Sequence, residues 1–177
     1  MAADEILAMI GYNGGDVRRI GHALKVTGYA EAIACGEGLC GRGLEILKAA
    51  AALHDIGIHE AERRYSSAAG PYQEKEGPPV ARAILEGLGH DGDFIDRVCF
   101  LVGHHHTYSA VDGEDYQILI EADFLVNLEE DGLEKGAEAV KTAVKKYFKT
   151  ATGTAMAIQL FGLEQKGADA ATTGETR

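Results

Sequence analysis

Four places along the 177-residue chain carry side chains that can hold a metal ion: His22, the adjacent pair His54-Asp55, the run His104-His105-His106, and Asp123. Imidazole offers a nitrogen donor and carboxylate a hard oxygen donor, a mixture that suits a divalent metal. The centre of the pattern is residues 50–60, AAALHDIGIHE, where His54-Asp55 closes an alanine-rich apolar run. An aspartate in apolar surroundings is costly unless it is paired, hydrogen-bonded or metal-bound. A capping aspartate beside a surface histidine would read the same way, so the other donors decide what the dipeptide means.

Those donors need elements to present them. A helix is expected from about Asp16 to Ala34, with Val17, Ile20, Leu24, Ala30 and Ile33 on its apolar stripe and His22 at the edge. A second, from about Gly43 to Asp55, puts Leu47, Ala50, Ala51 and His54 on one face. Residues 58–75 read as a long polar connection, and a further helix is expected to start near Pro78-Pro79. His90, in the turn that follows, reads as exposed. Another helix, from about Asp93 to His105, carries Val98, Leu101 and Val102 and then turns His104 and His105 inward. From about Asp115 to Asn127, Asp123 falls on the stripe of Tyr116, Leu119, Ile120 and Val126. A buried acid there needs a partner, either an arginine or a metal. Helices over 133–149 and 154–162 complete an all-α bundle, read as one domain over residues 1–163. The tail, residues 164–177, is small and polar and is expected to be disordered.

Composition narrows the function. A net charge of −11 disfavours a duplex nucleic-acid partner, since phosphate binding depends on a positive surface. No apolar run is long enough to cross a bilayer, and the acidic N-terminus lacks the basic start of a secretory signal. A cytoplasmic protein without membrane contact is therefore expected, and a homodimer is allowed. The three cysteines, Cys35, Cys40 and Cys99, form no CxxC pair and speak against both a disulfide framework and a cysteine zinc site.

The order His22, His54-Asp55, the histidines at 104–106 and Asp123 resembles the H…HD…HH…D pattern of the HD-domain superfamily of metal-dependent phosphohydrolases, over about residues 16–130. The resemblance implies first ligands His22, His54, Asp55 and Asp123. Likeness to a two-metal subgroup adds His104 and His105, with Asp55 bridging the two ions; the implied cofactor is one or two ions of Mn²⁺, Fe²⁺, Mg²⁺, Co²⁺ or Ni²⁺. That subgroup has a further histidine where this chain reads YQEKEG (72–77), which leaves either Glu74 or Glu76 as an oxygen substitute or a second site that is weak or empty. Ile58 stands where the cyclic-dinucleotide group has a lysine, and no GYP follows the histidines, so that activity is disfavoured. The implied reaction is hydrolysis of a nucleotide or other small phosphate ester by metal-bound hydroxide, with Asp55 central. Arg63, Arg64 and Lys75 are candidate phosphate contacts. His59, or a spare histidine such as His106, is the candidate proton donor or substrate contact. A di-iron oxygenase or a nucleotide-binding regulatory module are the alternatives.

Overall fold

A computed structural model describes residues 3–132 and 136–163. Among the described residues there are nine α-helices, one π-helical turn and no strand. The helices are α1 (Ala3–Asn13), α2 (Val17–Glu37), α3 (Gly41–Leu53), α4 (Ile58–Tyr65), α5 (Gly70–Gly87), α6 (Gly92–Val102), α7 (Glu114–Asn127), α8 (Ala137–Tyr147) and α9 (Ala151–Leu160), with the π-turn (Leu128–Gly132) after α7. The all-α expectation holds. The expected tail, 164–177, lies outside the described residues.

The core forms where the apolar stripes of α2, α3, α6 and α7 meet. Asp16 starts α2 by accepting from the Arg19 amide at 3.1 Å. One face of α2 then buries Ala23, Val26, Ala30 and Ile33. Nearly the whole second half of α3, from Ile46 to Leu53, is buried apart from Lys48. The alanines there let neighbouring backbones close in, and α3 packs against α1, α2, α6 and α7. α7 is buried on nearly every side, from Tyr116 to Val126, because α2 and α3 cover one flank and α9 reaches another.

Residues 58–75 differ from the expected loop. Ile58 and Ala61 are buried one turn apart, so the chain forms α4, with Glu60 pairing Arg63 and Arg64 along its outer side. α5 then begins at Gly70 and runs straight through Pro78 and Pro79, where the prolines were expected to open a helix. Gln73, Glu76, Gly77, Ala81 and Leu85 give it one buried face across the prolines, and that burial outweighs the local loss of amide donors. α5 crosses the turn that carries His54-Asp55 at very short range. A Cβ on Gly57 would come within 2.5 Å of the Gly77 nitrogen and 2.7 Å of the Gln73 carbonyl oxygen. Only glycine at 57 allows this approach.

Candidate metal centre

α2, α3, α7 and the turn after α6 deliver their donors to one buried point. His54 follows the last residue of α3, is fully buried, and donates from Nδ1 to the Ala51 carbonyl at 2.8 Å. His105 does the same to Val102 at 2.8 Å. His22, on α2, has Nδ1 3.2 Å from Glu130 Oε2. A carbonyl or ionised carboxylate can only accept, so each Nδ1 carries the proton and each Nε2 is left as the free donor atom.

Those Nε2 atoms converge. His22 Nε2 and His54 Nε2 are 3.3 Å apart, and Asp123 Oδ1 lies 3.1 Å from the first and 3.5 Å from the second. Asp55 Oδ2 stands 3.7 Å from His22 Nε2 and 3.5 Å from His54 Nε2. The other oxygen of Asp55, Oδ1, faces His105 Nε2 at 3.4 Å. Two groups result: His22, His54 and Asp123, and beside them Asp55, His105 and His106. Asp55 faces both.

The electrostatics are those of a cation site. Burial works against ionising Asp123 and Asp55, yet each is held well below the usual carboxylate range. His22 and His54 do this for Asp123, and His54 and His105 for Asp55. Burial opposes charge on His54 too, but Asp55 and Asp123 prevail and raise its pKa to about 9. His106 is pushed down to about 4 by burial and by His105, so it stays neutral. The Nε2 atoms of His105 and His106 are buried without a hydrogen-bond partner among the described residues. Two carboxylates, facing imidazole nitrogens and two orphaned buried nitrogens fit one or two divalent ions.

The turn that bears the second histidine pair is pinned from two helices. Glu74, on α5, accepts from the His106 amide at 3.0 Å and the Thr107 hydroxyl at 2.9 Å. The buried Tyr116 hydroxyl, from α7, lies 2.5 Å from the carbonyls of both His104 and Thr107. Glu74 therefore holds backbone and is not one of the clustered donors. Glu76 is likewise committed, to the Tyr65 hydroxyl at 2.8 Å and to Arg64 at 3.1 Å.

Several expected site residues are placed elsewhere. α6 ends at Val102, so the helical projection fails for the histidine run, and the clustered pair is His105-His106 rather than His104-His105. His104 turns back to the Phe100 carbonyl at 2.7 Å and stacks on the Phe100 ring. His59 has Nδ1 3.3 Å from Arg19 and belongs to neither cluster. Arg63 is clasped by Glu60, Arg64 by Glu60 and Glu76, and Lys75 lies over the Tyr65 ring. These contacts lie along α4 and α5 and tie none of the three to the cluster. His90 is half-buried and paired with Glu5 at 2.8 Å, because the turn before α6 packs against α1. Glu130 and Tyr116 were missed as supports. A side chain that acts through another leaves no spacing rule in the sequence.

Helices and the turns after them that bring two adjoining imidazole–carboxylate clusters together define a helical protein with a buried centre able to hold divalent metal. A profile of the HD domain matches residues 19–149, a stretch that contains every clustered donor, and the chain belongs to the HD-domain family. That family consists mostly of metal-dependent hydrolases. No curated protein and no solved structure was found to match the chain. No described helix is long and apolar enough to cross a membrane.

Proposed function

We propose that this chain is a metal-dependent phosphohydrolase acting on a nucleotide or another small phosphate ester. The observation that carries the reading is the position of Asp55, with one oxygen toward His22 and His54 and the other toward His105. A carboxylate so placed can bridge two ions. His22, His54, Asp55 and Asp123 would hold the first, and Asp55, His105 and His106 the second. When bound, such ions polarise a phosphoryl oxygen and acidify a coordinated water.

The chain's own groups then have defined tasks. Water adds to phosphorus and gives up a proton, the bond to the ester oxygen breaks, and that oxygen takes up the proton the water released. His59, the expected proton donor, is not suited to supply it: its Nδ1 accepts from the Arg19 guanidinium, which leaves a neutral ring whose one proton, on the buried Nε2, is not an acidic one. His106, held neutral, is suited to ligation and not to acid catalysis. Phe124 and Tyr147 stack with ring centroids 4.4 Å apart and Tyr108 packs tilted against both at 5.2 and 5.0 Å; Tyr108 is two residues after His106 and Phe124 directly follows Asp123. Tyr108 keeps 38% of its surface exposed. This aromatic wall supports a substrate with a ring to stack, as a nucleobase has.

The test is a screen of phosphorylated metabolites with Mn²⁺, Fe²⁺, Mg²⁺, Co²⁺ or Ni²⁺ added in turn, alongside metal analysis. Phosphate release is expected from wild type, and His54→Ala or Asp55→Ala should abolish both metal content and turnover. Full metal occupancy in either variant would remove it from the ligand set. Oxygen uptake by the iron-loaded protein without phosphate release would select an oxygenase. Nucleotide binding without turnover at full metal loading would select a regulatory module.

A further inference from the structure

Three of the four clustered imidazoles, His22, His54 and His105, are not held alike. His54 and His105 each donate Nδ1–H to a carbonyl three residues back in the chain, so their orientation comes with the fold of that segment. His22 has no such local partner. Its Nδ1 meets Glu130 Oε2, 108 residues away, in the π-turn that follows α7. The second oxygen of Glu130 accepts from Lys25 Nζ at 3.1 Å, and Lys25 also holds Glu129 at 3.0 Å. Lys25 lies three residues after His22 on α2, so α2 presents a ligand on one turn and secures that ligand's support on the next. Single π-turns recur at functional sites, where widening a helix re-aims its side chains.

We propose that Glu130 is a positioning residue for the metal centre. Its carboxylate keeps the His22 proton on Nδ1, turns Nε2 inward as a donor, and through its charge strengthens that donor. Lys25 holds Glu130 in place. This inference rests on the reading of His22 as a ligand. A carboxylate behind a ligating histidine fixes its tautomer and raises its basicity, and losing such a support lowers metal affinity by about 10–100-fold. Backbone carbonyls cannot supply the charge, so the His22 arm is the one whose strength the chain can lose by a single surface substitution.

The experiment is titration of the full chain, stripped by chelator, with Mn²⁺ alone. Glu130→Ala is expected to weaken Mn²⁺ binding by about 10–100-fold. Glu130→Gln keeps an acceptor oxygen without the charge and should recover part of that loss. Lys25→Met should cost less than either. Glu129→Ala is the control: it shares the π-turn and Lys25 but does not touch His22, so its affinity should match wild type. A Glu130→Ala protein that binds Mn²⁺ as wild type does overturns the inference while leaving the ligand reading intact. A Glu129→Ala loss equal to that of Glu130→Ala also overturns it, since the effect would then belong to the turn. Wild-type protein that binds no Mn²⁺ overturns the ligand reading and this inference together.

Discussion

Two buried carboxylates stand two residues apart on α7 and have opposite surroundings. Glu121 is fully buried and its oxygens accept from four groups: the Gln117 amide at 2.7 Å, the Lys149 and Thr150 backbone amides at 2.6 and 2.9 Å, and the Thr150 hydroxyl at 2.5 Å. Asp123 is buried as well, but its contacts are with the Nε2 atoms of His22 and His54, whose Nδ1 protons are committed elsewhere. One acid is satisfied by the protein and joins α7 to the start of α9. The other faces only imidazole Nε2 atoms, where a proton held by His54 in the metal-free protein stands in the place a metal cation would take. Burial of an acid alone therefore does not mark a site. The supply of hydrogen-bond donors around it does.

Substitution at the satisfied acid should give the largest effect and should leave metal chemistry alone. Glu121→Ala strands two backbone amides and a hydroxyl in the interior, and breaking a buried charged network in this way costs about 3–5 kcal/mol. For a domain of this size that is roughly 10 °C in melting temperature. Mn²⁺ affinity of the folded fraction should stay at the wild-type value. An equal loss of metal binding would mean that the two acids are coupled and the contrast between them is false.

Asp123→Ala is the mirror experiment. Mn²⁺ binding should weaken by about a hundredfold, near 3 kcal/mol by the tenfold-per-1.4 kcal/mol relation. Most phosphatase activity should go with it. Folding should be largely retained in excess metal, because Asp123 holds no backbone together. Normal turnover in this variant would take Asp123 out of the site.

The sequence showed one of these acids and hid the other, and the reason is geometric. Asp123 fell on the stripe of Tyr116, Leu119, Ile120 and Val126, so a 3.6-residue period exposed it as an anomaly. Glu121 lies off that stripe. It is buried because the junction of α8 and α9, more than 25 residues on, folds over the back of α7. A single-helix projection has no access to that contact. The same limit explains the histidine run: extending the helix past Val102 turned His104 inward, while the real chain leaves the helix at Gly103 and turns His105 and His106 to the cluster. His22, His54, Asp55 and Asp123 were legible because regular helices or their ends carry them. Residues 58–75 were misread because exposed arginines and serines outnumber the two buried positions, Ile58 and Ala61, that hold α4 down.

A milder change should sharpen the case for Glu121. Gly153, on α9, leaves room for this carboxylate: a Cβ there would lie 2.1 Å from Glu121 Oε2 and 2.8 Å from Thr150 Oγ1. A free side chain would swing aside at little cost, but this one is held by four donors. Gly153→Ala should therefore destabilise by about 1–3 kcal/mol, as overpacking does. In the Glu121→Ala background the same alanine should cost much less, with only the Thr150 hydroxyl left to give way. A full penalty in both backgrounds would show that the clash is with the Thr150 turn and not with the acid.

The smallest effect separates the two acids by pH. In the metal-free protein the His54 imidazolium is favoured by Asp55 and Asp123, with a pKa of about 9 against an ordinary 6.5. A base raised on folding contributes stability that is complete below its unfolded pKa and disappears as pH rises through the folded one. Chelated wild-type protein should thus lose stability between about pH 6.5 and 9, by roughly a few degrees in melting temperature. Asp123→Ala removes one of the two carboxylates responsible and should flatten that slope. Gly153→Ala should shift the whole curve down without changing its shape. Equal slopes in wild type and Asp123→Ala would mean that Asp123 does not share its charge with His54, and the difference between the two acids would then be one of hydrogen bonding only.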